Sequence, residues 1–311
     1  MPRVAPTRFT YLGPEATFAE QALRTLPGTR TGILTPSASV PDALDAVRND
    51  TADAALVPLE NSVEGSVSVT LDELANGEPL AIVREVLLPV SFVLLARPGT
   101  SLAHVRTVAS HPHGEAQCRG WLRRNLPHAT VHSALSTSEG AAAVARGEYD
   151  AALAAPLAAE RHKLDVLAED VHDTDGAVTR FVLLSRPGRP PERTGNDRTS
   201  VVVFIADNHT GALLEVLTEL AVRGIDLTRI ESRPTREMLG RYCFCIDCAG
   251  HVADARVGEA LAALRRICAD VRFLGSYPRA DTDVAPQPPG TSDDDFADAA
   301  DWLADLRDPP G

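Results

Sequence analysis

Short apolar runs alternate with helical stretches through the first 186 residues, and this alternation constrains the fold of the 311-residue chain more than any other feature. Strand-like runs occur at Phe9–Leu12, Ala54–Val57, Leu80–Val83, Ser91–Leu95, Thr107–Ala109, Ala151–Ala154 and Thr179–Leu184. Helix-like stretches lie between them: one from about Phe18, and others over Val40–Arg48, Gly114–Asn125 and Glu139–Arg146. A strand that leads through a helix to another strand makes a crossover, so the pattern predicts an α/β domain with mostly parallel sheets.

The pattern ends at a Pro/Gly-rich stretch, and residues 187–198 read as a linker. A compact βαββαβ sequence follows over residues 199–279. Its strands are Thr199–Ala206, Ile225–Arg233, Arg241–Cys248 and Val271–Tyr277, and its helices Gly211–Arg223 and Ala253–Ala269. Leu213, Leu214, Leu217, Leu220 and Ala221 give the first of these helices its amphipathic spacing. The order predicts a ferredoxin-like unit. Residues 280–311 form an acidic, Pro-rich tail. A short helix is expected there from Ser292 to Arg307, with Phe296, Trp302, Leu303 and Leu306 on one stripe.

The formal net charge of −13 excludes a generally basic nucleic-acid binder. That charge is unevenly placed. Residues 1–186 carry −6, the linker +1, residues 199–279 are neutral, and the tail carries −8. No apolar run approaches the roughly 18 residues that span a membrane, and the start has no apolar signal-peptide core. A cytoplasmic protein with neither nucleic-acid nor membrane partner is expected. Five cysteines do not make a disulfide framework. Cys243, Cys245, Cys248 and His251 superficially suggest zinc, but on one strand Cys243 and Cys245 share a face while Cys248 points the other way. Buried apolar thiols and no metal site are expected.

Four strand–loop–helix stretches offer polar groups where open α/β sheets bind ligands, beyond the strand carboxyl ends. Tyr11–Phe18 makes a tight loop before a helix, where free N–H groups suit an anion. Val57–Ser66 offers Glu60, Asn61 and Ser62. Val108–Cys118 places Ser110 at a strand end and Gln117 one turn into a helix, with His111 between. Asp173–Val182 brings Thr179 and Arg180 into a strand, where alternation sends neighbours to opposite faces. There is no P-loop, G-x-G-x-x-G or nucleophile elbow.

Taken together these stretches resemble the prephenate dehydratase family. The family's GPxGTFS, PxENSxxG, SHPQxxxQC and TRF motifs correspond to Gly13–Ala19, Pro58–Gly65, Ser110–Cys118 and Thr179–Phe181. The GAL and ESRP motifs of a regulatory ACT domain correspond to Gly211–Leu214 and Glu231–Pro234. Six motifs in order over about residues 9–278 make the resemblance specific. The departures are Ala16 for Gly, Ala19 for Ser, His113 for Gln, Ala177 for Asn and Thr210 for Pro.

The resemblance implies a bilobal catalytic domain like the type II periplasmic binding proteins over residues 1–186. The chain would cross between lobes near residues 85 and 160, with an ACT domain behind. It implies a hydro-lyase that converts prephenate to phenylpyruvate, CO2 and water without a cofactor. Thr179 would serve the leaving hydroxyl. Asn61, Ser110, Gln117 and Thr137 would position the carboxylates and ring hydroxyl. Arg180 would meet a carboxylate or pair structurally with Glu60. Thr17, Ser62, His111 and Phe181 would complete the substrate contacts. L-Phenylalanine is the implied feedback effector, held by Asn208, Gly211, Ala212, Leu213 and Leu214, with Glu231 and Ser232 from a facing subunit of a homodimer or homotetramer paired through ACT domains. With the first strand at Phe9, no fused mutase domain is expected. Two other readings stay open: arogenate dehydratase, with the same chemistry on the aminated substrate, and a non-catalytic amino-acid-sensing binding protein.

Overall fold

The structure is a computed structural model and describes residues 6–206, 209–236, 241–281 and 287–308. Two units emerge, residues 1–70 with 86–183, and residues 71–85 with 184–311.

Over its first 185 residues the chain runs β1 (Arg8–Leu12), α1 (Phe18–Arg24), β2 (Ile33–Ser37), α2 (Val40–Arg48), β3 (Ala54–Asn61) and β4 (Gly65–Ser66). Then come α3 (Ser68–Asn76), β5 (Ala81–Pro89), β6 (Val93–Ala96), β7 (Thr107–Ser110) and α4 (Pro112–Asn125). This stretch ends with β8 (Thr130–Ser133), α5 (Thr137–Arg146), β9 (Ala151–Ala154), α6 (Leu157–His162), β10 (Asp165–Ala168) and β11 (Val178–Ser185). Two sheets form, ordered β2-β1-β3-β11-β5 and β8-β7-β9-β6-β10. Each places the strand arriving from the other sheet, β11 or β6, between its third and last strands. This shared order is the expected bilobal arrangement. β1 pairs in parallel with β2 and β3, and β7 with β8 and β9, whereas β6 is antiparallel to β9 and β10.

The crossings between lobes differ from the expected 85 and 160. β5 stays in the first sheet to Pro89, and β10 holds the chain in the second sheet to Ala168. The crossings are therefore residues 90–92 and 169–177. The second is anchored to α4: Asp173 accepts from the Trp121 N–H at 2.8 Å and donates its own N–H to Gln117 O at 2.7 Å. Each sheet has its own apolar core, with Phe9, Leu23 and Leu56 in the first and Leu94, Val108 and Leu153 in the second.

The loop between β1 and α1 is built around Glu20. Its buried carboxylate accepts from the Ala16 N–H at 2.6 Å, the Tyr11 hydroxyl at 3.1 Å and Arg24. Burial, then the Glu20 charge, drives the Tyr11 phenol pKa upward. Ala16 adopts φ 63°, the left-handed region. That conformation costs an alanine about 1 kcal/mol, which explains the family glycine at this position.

The second unit contains β12 (Asp197–Phe204), α7 (Ala212–Ala221), β13 (Leu227–Pro234), β14 (Tyr242–Ala249), α8 (Ala255–Ile267), β15 (Asp270–Pro278) and α9 (Asp293–Arg307). Its sheet, β13-β14-β12-β15, is antiparallel throughout, the ferredoxin-like order. Val201, Val203, Ile246 and Cys248 pack against Val216, Leu220, Val257 and Leu264 of the two helices. Ala212, Val216 and Leu220 are the buried stripe of α7, and Leu214, part of the expected apolar spacing, is 67% exposed. Cys243 and Cys245 lie on the opposite sheet face from Cys248. Burial raises all three thiols, Cys245 and Cys248 to about 12, so they remain protonated packing groups.

Residues 71–85, expected within the catalytic domain, also pack closely with residues of this sheet. Gly275 leaves no room for a Cβ, because the Ile82 carbonyl lies directly against it. A buried ion pair between Arg198 and Glu85 adds to this contact, and Glu85 also accepts from the Ala280 N–H at 2.9 Å. The tail helix α9 starts at a capping box of Ser292 and Asp295. Trp302, Leu303 and Leu306 are exposed.

Candidate active site

A cleft of about 680 Å³ opens between the two lobes of the first unit. Its floor is apolar, with Phe18, Val90, Phe92 and Phe181. Phe18 meets Phe92 edge-on at 5.2 Å, one ring from each lobe. Its walls are polar. Thr17, Asn61, His111, Gln117, Thr137, Thr179 and Phe181, all expected at the substrate, line it.

Asn61 and Thr179 form the centre. Asn61 Nδ2 donates to Thr179 Oγ1 at 2.8 Å. Asn61 Oδ1 accepts from the N–H groups of Val63 at 2.8 Å and Glu64 at 3.0 Å. Those two donors fix the amide's orientation, so the nitrogen must face Thr179. Thr179 therefore accepts from Asn61 and keeps its own proton to donate elsewhere.

Ser62 brings the two residues together. Its N–H donates to Val178 O and its Oγ accepts from the Val178 N–H, both at 2.9 Å. Ser62 thus clamps the β3 turn to the start of β11, and it is absent from the cleft lining. A substrate contact is expected of Ser62; the structure shows it holding this turn to β11.

Three further expected residues lie off the lining. Ser110 is fully buried and its Oγ reaches Leu153 O at 3.5 Å, next to Gly114 of the lining. Val178 already lies in the strand, so Thr179 and Phe181 face the cleft while Arg180, buried, faces away. Glu60 also lies off the lining.

The lining adds residues that the motifs did not single out, Glu64, Ser66, Ser68, Leu135 and Ser136, and it includes His113, one of the departures from the family pattern. Glu64 is the most informative. It belongs to the same turn as Asn61, and Gln117 Nε2 of the other lobe lies 3.4 Å from its Oε1. Leu135 is 93% exposed at the rim. Among the described lining residues there is no Arg or Lys. Helix N-termini stand in their place: Ser68 opens α3, His111 caps α4 and Ser136 caps α5. Their N–H groups and dipoles favour an anion.

His111 Nδ1 accepts from the His113 N–H at 3.3 Å, which leaves Nε2 as the donor. Burial, then the charge of His113, lowers its pKa below the ordinary histidine value. Cys118, behind the cleft, is raised to about 12 by burial and by the Asp173 charge, so it is no nucleophile.

The family model for prephenate dehydratase matches residues 9–189, and that for the ACT domain matches residues 200–266. The chain belongs to the prephenate dehydratase family. A prephenate dehydratase of Amycolatopsis methanolica is 54% identical over 302 residues, covering 97% of this chain and 98% of that one. One from Mycobacterium marinum is 51% identical over 309 residues, covering 97% and 96%. Among solved structures, a prephenate dehydratase from Arthrobacter aurescens in complex with L-Phe aligns with a TM-score of 0.91 at 49% identity, covering 96% of this chain and 98% of that one. The family activity is that of a hydro-lyase.

The second unit holds a cavity of about 650 Å³. Gly211, Ala212, Leu213 and Leu214 line it, with His209, Thr235, Arg241, Tyr242, Arg272, Ala75 and Asn76. Gly211 caps α7 at φ 95°, a conformation that favours glycine. Glu231 and Ser232, on the edge strand β13, are outside the lining. Asn208 lies outside the described residues. No helix of the described residues is long and apolar enough to cross a membrane.

Proposed function

We propose that the cleft converts prephenate to phenylpyruvate, CO2 and water, and that L-phenylalanine occupying the ACT cavity restrains it. The bond from ring carbon to carboxylate breaks and its electron pair enters the ring. The ring aromatises and expels hydroxide from the opposite carbon, and a proton turns that hydroxide into water. Negative charge leaves the carboxylate and builds on the departing oxygen. A donor aimed at that oxygen is the chief requirement.

The observation that carries this reading is the Asn61–Thr179 hydrogen bond. It commits the Thr179 lone pair and leaves its O–H for the leaving hydroxyl. Gln117, His111 Nε2 and the N-termini of α4 and α5 then hold the substrate's carboxylates, and the aromatic floor receives the ring. Closing of the lobes over the substrate excludes water. Glu231 and Ser232 act from a facing subunit in a homodimer or homotetramer paired through ACT domains. The enzyme works in the cytoplasm. The L-Phe complex of the Arthrobacter aurescens relative supports the effector assignment.

The test is direct. Purified full-length protein is incubated with prephenate and, separately, with arogenate, and phenylpyruvate, phenylalanine and CO2 are measured. Phenylpyruvate with stoichiometric CO2 is expected from prephenate. Turnover of arogenate alone would reassign the substrate, and binding without product would make the protein a sensor.

A further inference from the structure

Helix α3 reaches both cavities. Ser68, its first residue, lines the catalytic cleft together with Gly65, Ser66 and Val67. Ala75 and Asn76, its last two residues, line the ACT cavity. Nine residues of helix span about 14 Å.

Both ends are tied to functional elements. At the first, the Val67 N–H donates to Leu59 O at 2.9 Å and Thr70 Oγ1 to Pro58 O at 2.6 Å, which joins the helix start to β3, the strand that carries Asn61. At mid-helix, Asp72 accepts from Arg233 Nε at 2.8 Å and from Arg236 at 2.7 Å. Arg233 belongs to the Glu231–Pro234 motif. Burial alone would raise the Asp72 pKa, but hydrogen bonds and charge from the two arginines outweigh it and hold the carboxyl below the usual range. Arg272, itself in the ACT cavity wall, donates to Leu74 O at 3.1 Å and Gly77 O at 2.6 Å, satisfying carbonyls that a helix end leaves open.

We propose that α3 is the element through which effector occupancy alters turnover, with Asp72 as the positioning residue that links it to β13. An effector in the ACT cavity touches the last turn of α3 and Thr235, the residue that follows the strand gripping Asp72. A displacement of that turn is passed along the helix to the Gly65–Ser68 wall and to the turn that aims Asn61 at Thr179. Asp72 contacts neither ligand. This proposal rests on the regulatory reading above.

The experiment uses the full chain, with Asp72→Asn, Asp72→Glu and the wild type. L-Phenylalanine binding is measured by calorimetry and prephenate turnover with and without saturating L-phenylalanine. Amide exchange over residues 61–70 is followed in the same conditions. Asp72→Asn is expected to bind the effector within about threefold of wild type and to keep basal turnover, but to lose at least about half of the maximal inhibition. The effector-dependent change in exchange over 61–70 should vanish with it, and Asp72→Glu should restore both. Full inhibition of Asp72→Asn with an unchanged exchange response would overturn the proposal. Loss of effector binding in that variant would also overturn it, by placing Asp72 in the binding site. If wild-type turnover is indifferent to L-phenylalanine, the regulatory reading itself fails, and the role of α3 falls with it.

Discussion

The two cavities are of similar size but differ in charge design. The catalytic cleft, the one proposed to take a dianion, is lined by neutral donors, helix starts and Glu64, with no Arg or Lys among its described residues. The ACT cavity, proposed to take a zwitterion, carries Arg241, Arg272 and His209 beside a single carboxylate, Asp270. Transition-state logic accounts for the difference. Only interactions that strengthen on the way to the transition state accelerate a reaction. A departing carboxylate loses its charge as CO2 forms, so a fixed cation beside it would stabilise the substrate more than the transition state. Neutral donors hold the same group more weakly and give up less as its charge disappears. An effector site has no reaction to run, and ground-state binding is its whole task.

The largest test removes the one donor aimed at developing charge. Thr179→Ala is expected to lower kcat by about 10²–10³, the usual loss for such a donor, with a smaller change in KM. Thr179→Ser should recover part of the rate because it restores the O–H. A near-normal kcat in the alanine variant, with intact folding, would remove Thr179 from the reaction. The next test imports the ACT cavity's chemistry into the cleft. His113→Lys sets a cation on the exposed wall at the start of α4. KM for prephenate is expected to fall, and kcat to fall by about tenfold, so that kcat/KM gains nothing. A rise in kcat would show that the absence of cations has some other cause.

The same contrast between committed and uncommitted groups governs what was legible in the sequence. The strands missing from the apolar pattern include β2, β8 and β10, and all three are sheet edges. An edge strand needs no continuous apolar run: β2 contains Pro36, and β8 reads Thr-Val-His-Ser. Interior strands such as β3, β9 and β12 are buried on both faces, so composition betrays them. At the site, the motifs placed Asn61, Gln117 and Thr179 correctly at the cleft, and alternation along β11 separated Thr179 from Arg180. Spacing could not tell that Ser62 and Ser110 spend their hydroxyls on backbone groups, because those partners come from distant strands. Glu64 was missed for the converse reason. Nothing local marks an acidic turn residue as facing another lobe, although its place in the Asn61–Gly65 turn was a usable signal.

Histidine supplies a graded form of the same comparison, because protonation would put a cation into the cleft. His111 has a folded pKa below its unfolded value of about 6.5. Between those two values the unfolded chain binds more protons, so stability is full above pH 6.5 and declines as pH falls toward the folded pKa. His162, lowered by burial and then by Arg161, acts in the same direction. The Tm loss between pH 7.5 and 5.5 should shrink in His111→Asn, which keeps an N-cap for α4. NMR titration of His111 should show a midpoint below 6.5. An unchanged Tm difference together with a midpoint above 6.5 would show that the ring is solvated and that its contact with the His113 N–H is not maintained.

The smallest effect expected on turnover lies at the most charged segment. The tail carries −8 of the chain's −13, yet it serves the second unit as a cap rather than as a field. Asp254, the N-cap residue of α8, makes no side-chain capping bond. Asp293 supplies it instead, accepting from the Ala255 N–H at 2.8 Å while pairing with Arg193. Truncating residues 287–311 is therefore expected to leave kcat within about twofold and to destabilise the second unit by about 1 kcal/mol, as loss of a cap does. Asp293→Ala alone should reproduce most of that loss, and Asp294→Ala, exposed and outside these contacts, almost none. If truncation instead abolished turnover while Asp293→Ala did not, the acidic tail would have to act on the cleft directly, and the separation of roles between the two cavities would not hold.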